Sequence, residues 1–505
     1  MSNTKEFRGE WYSPKQENVK LPGVLTINQE KNEIKLVLFS EKDIAGYKIT
    51  EQQNRINYCK IILGITNKGE HITLYEHSGY EGGAPMLEYH MGGKFYESSY
   101  RPNFAFIGKH FNTPESILFN NYSFRYNFLD SWIDTTRNYF DYKHENNGNL
   151  TISVSAIPDI EIQIEEGCKL HIIRDIYSKG GYSRKYELEV KHYVKFNFNS
   201  PASLHKFLSL SAKFRAFLTI AVGYPISVLD EIATTDNMDI WHENDSLDVY
   251  HSHADENIDD RKLYQHHMFF CSQHYKYDEL TNYISKWFEI YDDYHAAIDI
   301  FLHAVNPFWK KGNTTVTNVE FTNGLLNICQ AIEMFYNQDM GVDFKKTREK
   351  FNNTKQQALD KIKKKKDEIG LTDNEMEFFN VPFKVPKENG WMPFQHKLLH
   401  QLNEVKIAIN GFINQNEFND FATKLKDCRD DLTHVNHNND ISNTYDLPYL
   451  FYHSQILFYA IITNKIGIEQ IKINQIMKSS DKFERYFKED DKNKPLKKHD
   501  HKKGD

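Results

Sequence analysis

The sequence predicts an α+β protein of several domains, with a β-rich N-terminal domain, a helical middle region and a C-terminal all-α bundle. Strand-like alternation and Gly- and Pro-rich turns are concentrated in the first 200 residues or so, whereas helical periodicity dominates the rest. A chain of 505 residues, 40% hydrophobic and 14% aromatic, has enough material for about three domains. We expect boundaries at 1–199, 200–312, 313–478 and 479–505.

The N-terminal domain is predicted from three strand patterns. VLTINQEKNEIKLVLF predicts a β-hairpin, with Asn32 and Glu33 after its charged turn, and NLTISVSAIPDIEIQI predicts a second pair of strands. YELEVKHYVKFNF alternates as a half-buried strand does. These patterns predict one or two antiparallel sheets.

The middle region is predicted to begin with a helix that has Ser200 as its N-cap, Pro201 at its first position and Gly223 at its end. An acidic, polar stretch follows. Helical periodicity then resumes in RKLYQHHMFFCSQHYKY and in ELTNYISKWFEIYDDYHAAIDIFLHAV. Asn306, Pro307 and the KKGNTT turn are expected to close this region.

The C-terminal part is predicted to be a helical bundle followed by a flexible, charged tail. Five segments show amphipathic helical periodicity: VEFTNGLLNICQAIEMFYN, TREKFNNTKQQALDKIKKKKDEIG, WMPFQHKLLHQLNEVKIAIN, NEFNDFATKLKDCRDDLTH and LPYLFYHSQILFYAIITNKIG.

Several classes of protein are disfavoured by what the sequence lacks. The five cysteines form no CxxC pair and the first residues form no leader, so we expect a cytoplasmic protein with reduced thiols. The apolar stretch at 456–462 is too short to cross a bilayer, so we expect no membrane partner. Phosphate-binding loops, GxSxG elbows and HExxH motifs are missing from the sequence, and we expect no cofactor.

Charge is divided unevenly along the chain. Residues 1–312 carry 33 basic and 42 acidic side chains and would repel a polyanion. An RNA contact is therefore expected in the helical C-terminal part. The densest basic block there consists of Lys361, Lys363, Lys364, Lys365 and Lys366.

The segment CRDDLTH is the strongest candidate for a catalytic motif. Arginine followed by histidine after four to six intervening residues is typical of HEPN ribonucleases, but 12 arginines and 23 histidines produce this spacing by chance. The arginines that qualify are Arg137 (with His144), Arg261 (with His266) and Arg429 (with His434). Context favours Arg429, because it ends a bundle helix, precedes an acidic residue and follows an earlier helix that carries QAIE.

CRDDLTH and QAIEMFYN, together with the opening FRGEWYSPKQENVKLPGVLTI, resemble the ApeA-like HEPN family of bacterial anti-phage proteins. The resemblance implies a C-terminal HEPN bundle that forms a homodimer and acts as a metal-independent endoribonuclease. It implies that Arg429 and His434 are the catalytic pair, with Asp430 as the polar residue after the arginine and Glu333 facing them. By analogy with anticodon nucleases, transfer RNA is the expected substrate.

The chemistry of RNA cleavage suits these residue types. The 2′-OH of RNA is the nucleophile, so the protein supplies a proton acceptor, a proton donor and a fixed cation on the phosphate. Histidine exchanges protons near neutral pH, and arginine stays charged and binds phosphate through two donors. The expected products carry 2′,3′-cyclic phosphate and 5′-OH ends.

The spacing of the motif bears on oligomeric state. Five residues of an α-helix correspond to a rotation of about 140°, so Arg429 and His434 on one straight helix do not face the same phosphate. Either the helix ends between them, where Asp431 and Thr433 are weak helix formers, or a second copy of the chain contributes.

A structural interpretation of the same residues stands beside the catalytic one. Arg429 would pair with aspartates at a helix end, His434 would cap a turn, Asp430 would orient the arginine, and Glu333 would pair with a base such as Lys346. The chain would then be a non-catalytic dimeric interaction or sensor protein.

A metal site in the middle region is the remaining alternative. His267, Cys271 and His274 have the spacing of one helix face and would suit zinc. Phe269 and Phe270 indicate that this segment is buried, and we expect no bound metal.

The acidic N-terminal two thirds are expected to sense infection or to restrain the C-terminal bundle, with a phage-derived protein as the trigger. Charge and size alone motivate this expectation. It is contradicted if residues 311–478 are no more toxic to cells than the whole chain.

Overall fold

The computed structural model describes residues 4–29, 31–41, 60–81, 95–133, 140–144, 150–154, 159–179, 187–235, 246–252, 263–272, 275–311, 317–341, 344–365, 368, 372, 393–434, 445–484 and 486. The chain forms two compact units, Met1–Glu289 and Ile290–Asp505. Within the described ranges, the strands all belong to the first unit, and the second unit is helical.

The N-terminal unit is built on antiparallel strands. They are β1 (Thr4–Tyr12), β2 (Leu21–Asn28), β3 (Glu33–Glu41), β4 (Ile61–Thr66), β5 (His71–Glu81), β6 (Phe95–Ile107), β7 (Leu118–Tyr126), β8 (Phe140–His144), β9 (Leu150–Val154), β10 (Ile160–Glu165), β11 (Cys168–Lys179), β12 (Glu187–Ser203), β13 (Val228–Thr234) and β14 (Leu247–His251). Twelve of them form one sheet in the order β10-β11-β12-β7-β13-β14-β6-β3-β2-β1-β4-β5, and β8 pairs with β9 separately. Its helices are α1 (Leu129–Ile133), α2 (Leu204–Val222) and the start of α3 (Tyr277–Lys311).

Strands β1 to β6 close on themselves, because β5 pairs with β6 as well as with β4. The inward side chains of this ring form an apolar core around Trp11, which is 0% exposed. Gly64 on β4 permits this packing: a Cβ there would lie 2.3 Å from a carbon of the Trp11 ring, closer than non-bonded atoms approach. The indole therefore occupies space that only a glycine leaves open.

The second half of the sheet is covered by α2. Phe207 of this helix packs against Phe119 and Tyr122 of β7, with ring centroids 6.3 and 5.4 Å apart. The helix ends at Gly223, which has a left-handed conformation with φ of 69° and donates its N–H to the carbonyl of Thr219. The predicted end of this helix is confirmed.

The N-terminal strand predictions are confirmed in part. The hairpin of β2 and β3 and the long strand β12 have the expected positions. The prediction that residues 149–164 form a strand pair is wrong, because β9 pairs with β8 and β10 pairs with β11. Gly167, whose φ is 74°, lies in the tight turn between β10 and β11, so β10 pairs with the strand that directly follows it.

The prediction of a helical middle region is wrong in several places. Helix α2 begins at Leu204 rather than Pro201, because β12 continues to Ser203 and pairs there with β7. The acidic stretch contains β14, and β13 lies between it and α2; the two strands pair with each other and join β7 to β6. In the described part of the segment 261–277, the residues before α3 form no α-helix, and Gln265–His267 form a short 3-10 turn. Helix α3 continues past Asn306 and Pro307 and ends at Lys311, in the predicted KKGNTT segment.

In its described ranges, the C-terminal unit contains the rest of α3 and further α-helices. They are α4 (Asn318–Asp339), α5 (Phe344–Lys364), α6 (Phe394–Glu404), α7 (Phe418–His434), α8 (Leu447–Lys465), α9 (Gln470–Ser479) and α10 (Asp481–Glu484). Helix α8 is central, because Ile456 to Thr463 are buried on every side of it. Gly324 lets α4 approach it closely, since a Cβ there would lie 2.6 Å from Phe451.

The five predicted C-terminal helices are present as α4, α5, α6, α7 and α8, although α6 ends at Glu404, before the predicted end of its segment. Of the predicted flexible tail, residues 485 and 487–505 lie outside the described residues. No helix in the described ranges combines the length and the apolar character of a membrane span.

Candidate active site in the C-terminal helices

Arg429 lies beside the buried face of α7. Phe421, Leu425 and Cys428 point into the core at helical spacing, with exposed fractions of 1%, 0% and 0%. Arg429 follows this stripe directly and is partly buried. The side chain is 29% exposed.

Glu333 of the QAIE segment holds Arg429 from α4. The Nη2 atom of Arg429 donates to Oε2 of Glu333 at 2.8 Å. The other carboxylate oxygen, Oε1, accepts a hydrogen bond from Nζ of Lys397 at 2.7 Å. A single carboxylate thus binds two cations, which come from α6 and α7.

Helix α6 supplies two residues that were not among the predicted site residues. Lys397 has a side chain only 4% exposed, and the ring centroid of Phe394 lies 4.5 Å from Cζ of Arg429. Glu333, Phe394, Lys397 and Arg429 are called the Arg429 cluster below. The sequence contained a signal for Lys397, because it stands next to the apolar stripe of Phe394, Leu398 and Leu402, where an unpaired lysine would be unfavourable.

His434 is the last residue of α7, and its side chain lies outside the described residues. The helix is unbroken between Arg429 and His434, and the hydroxyl of Thr433 donates to the Arg429 carbonyl at 3.0 Å. Of the two alternatives that the spacing left open, an end of the helix between the two residues is therefore excluded. Their positions are about 140° apart around one helix axis.

The aspartates after Arg429 have other partners. Asp430 lies 3.1 Å from Nζ of Lys426, one turn earlier on the same helix. Asp431 accepts a hydrogen bond of 2.8 Å from the hydroxyl of Tyr445. Burial, followed by this hydrogen bond, raises the pKa of Tyr445 to about 12. The structure thus brings Glu333, rather than an aspartate, to the guanidinium.

Two thiols lie beneath the Arg429 cluster. Cys329 and Cys428 are both 0% exposed. Burial raises the pKa of Cys428 to about 12 and that of Cys329 further, although the charge of Arg429 partly opposes the latter shift. Both thiols are protonated at neutral pH, so they are packing groups and not nucleophiles.

The predicted RNA-binding lysines lie on a different helix from Arg429. Lys361, Lys363 and Lys364 form the exposed last turn of α5. Lys365 follows, 3.7 Å from Glu368, and Lys366 lies outside the described residues.

The structure describes only part of the competing Arg–His pairs and of the possible zinc site. Arg137, Arg261 and His274 lie outside the described residues. His267 is in a 3-10 turn and Cys271 is 0% exposed, so the helix face that was expected to align a zinc site does not form there.

No curated protein and no solved structure matches the chain. Residues 6–287 match the family model described as ApeA N-terminal domain 1, and this region contains the twelve-stranded sheet and α2. The match covers more than half of the 505 residues. The chain therefore belongs to the ApeA-like family of anti-phage proteins.

Proposed function

We propose that the protein is an anti-phage endoribonuclease whose C-terminal helices form a HEPN nuclease. The observation that carries this proposal is the Arg429 cluster. Glu333 and Phe394 hold a partly exposed arginine on the helix that also carries His434, at the spacing of the Arg–His motif. An arginine that is fixed and still partly accessible suits a phosphate-binding role.

In the proposed reaction, Arg429 binds the scissile phosphate and stabilises its added negative charge. A histidine at position 434 accepts the proton of the 2′-OH and donates a proton to the leaving 5′-oxygen. Because RNA supplies the nucleophile, these steps require no metal ion. Asp430 would shape the electrostatics of the site together with Lys426, its ion-pair partner.

The active form in this proposal is a homodimer that is formed through the C-terminal helices. Positions 429 and 434 point about 140° apart on an unbroken helix, so one copy does not direct both residues at one phosphate. A two-fold axis beside α7 would bring the arginine of one copy to the histidine of the other.

The decisive test of the proposed function is the chemistry of the RNA ends. We expect the purified protein, in the presence of EDTA, to cut RNA and leave 2′,3′-cyclic phosphate and 5′-OH ends. A DNA of the same sequence serves as the control and stays intact, because it lacks the 2′-OH. Cleavage of transfer RNA in induced cells would identify the substrate, and 5′-phosphate ends or a metal requirement would contradict the mechanism.

The lysine block at the end of α5 is proposed to bind the RNA backbone. Changing Lys361, Lys363, Lys364 and Lys365 to glutamine should weaken RNA binding about tenfold or more at physiological salt and flatten its salt dependence, because fewer counterions are released. Filter binding at several KCl concentrations measures both effects.

A control with the same loss of charge separates this local effect from a change in net charge. Lys15, Lys31, Lys60 and Lys68 are exposed on the N-terminal unit, and their replacement by glutamine should leave RNA affinity within about twofold. Equal losses in both quadruple variants would rule out a specific role for the α5 block.

A non-catalytic interaction protein is the second candidate. It is favoured by the fact that Arg429 is already paired with Glu333 and packed on Phe394, as an arginine that only joins helices would be. Replacement of Arg429 or His434 by alanine distinguishes the two functions.

A further inference from the structure

Lys397 is a lysine in an unusual environment. It is 3% exposed and lies on α6, one turn after Phe394. A lysine buried to this degree is costly unless its charge is compensated. Its Nζ atom donates to Glu333 at 2.7 Å, so the compensating carboxylate is the one that also holds Arg429.

The charge balance of this triplet differs from that of a simple ion pair. Glu333 alone would neutralise Arg429, whereas Lys397 and Arg429 together leave a net charge of +1. Of the two cations, Arg429 is the more exposed, with 29% of its side chain exposed against 4% for Lys397. The excess positive charge is therefore available to a ligand at the guanidinium.

The surroundings make this excess charge significant. Asp427, Asp430 and Asp431 lie within two residues of Arg429 on the same helix. Lys426 is engaged with two of them, at 2.9 and 3.1 Å. A phosphate that approaches Arg429 thus meets several carboxylates, and a neutral Arg429–Glu333 pair would attract it weakly.

We propose that Lys397 is a positioning residue of the nuclease site: it binds Glu333 so that the carboxylate orients Arg429 without cancelling its charge toward phosphate. Lys397 acts through Glu333 and does not touch RNA. This inference rests on the proposed function and adds to it a residue outside the Arg–His motif.

A double-mutant cycle tests the proposal. All variants carry His434→Ala, which prevents cleavage, and binding of a labelled RNA hairpin is measured against KCl. Lys397→Met should raise Kd about tenfold and reduce the salt slope by about one, because the triplet becomes neutral. Adding Glu333→Gln to Lys397→Met restores the +1 charge, and we expect Kd to return to within about twofold of the parent.

Control measurements make each outcome decisive. Lys406→Met removes an exposed charge just after α6 and should leave Kd unchanged. The Tm of each variant reports folding. The double variant should recover Tm as well as Kd, since Glu333, which loses one of its two described cation partners in Lys397→Met, is replaced by a neutral side chain. If the double variant recovers Tm but still binds RNA weakly, Lys397 contacts RNA directly and the proposal fails.

Failure of the underlying function looks different. If the His434→Ala parent does not bind RNA and the wild-type chain does not cut it, the nuclease proposal is overturned together with this role of Lys397. If both activities are present but Lys397→Met binds as tightly as the parent, only the role of Lys397 is overturned.

Discussion

Changing Arg429 or His434 to alanine is expected to reduce RNA cleavage about 1,000-fold or more and to abolish growth arrest and phage protection. Loss of Arg429 removes the cation that stabilises the phosphate in the transition state, and loss of His434 removes the proton donor and acceptor. Cleavage of labelled RNA by the purified variants measures the effect, and growth after induction measures its consequence in cells.

Two matched variants show whether these losses are specific. Arg429→Lys keeps the positive charge but not the two-pronged donors, so it should retain only a small part of the activity. His303→Ala, on the exposed side of α3, removes a histidine of the same unit and should behave as wild type. If the wild type, Arg429→Ala and His434→Ala instead cause equal growth arrest and phage protection, the non-catalytic interaction protein is favoured.

Stability must be measured in the same variants, because Arg429 also joins α7 to α4 and α6. Without its guanidinium, Glu333 keeps only one of its two described cation partners, and we expect a modest fall in Tm. His434 is the terminal residue of α7, so its replacement should change Tm little. Loss of cleavage in a fully folded His434→Ala protein would therefore be a chemical effect.

The sequence predicted those parts of the candidate site that depend on local pattern. The Arg–His spacing and the QAIE segment were both visible, and α4 and α7 bring Glu333 and Arg429 to 2.8 Å. Phe394 and Lys397 were missed because their importance depends on a contact between α6 and two helices that are distant in sequence.

The errors in the fold have a similar origin. Strand β13 lies in the region 200–312, which was predicted to be helical. Glu231 is only 4% exposed, and its carboxylate accepts a hydrogen bond of 2.5 Å from the hydroxyl of Tyr122, which is also buried. The segment can be a buried strand because Tyr122, 109 residues earlier in the chain, binds the Glu231 carboxylate. The sequence around Glu231 does not contain that information.

Mixing the two inactive variants is expected to restore activity. If each site uses Arg429 from one copy and His434 from the other, a heterodimer of Arg429→Ala and His434→Ala contains one intact site and one site that lacks both residues. With random exchange, half of the dimers are mixed, and each mixed dimer has one intact site out of two. We therefore expect about a quarter of the wild-type activity.

The experiment requires exchange of subunits or coexpression of the two variants with different tags, followed by tandem purification and the same RNA cleavage assay. Each variant alone, and the double variant Arg429→Ala/His434→Ala mixed with either single variant, should stay inactive. These controls exclude contamination and reversal of the substitutions as sources of the recovered activity.

No recovery in a verified heterodimer would mean that the arginine and histidine of one chain act together. That outcome would require α7 to unwind before His434, because the continuous helix from Phe418 to His434 keeps the two positions about 140° apart. Recovery of activity would instead show that catalysis does not require α7 to unwind. The second chain would then supply the His434 that the first chain directs away from its own Arg429.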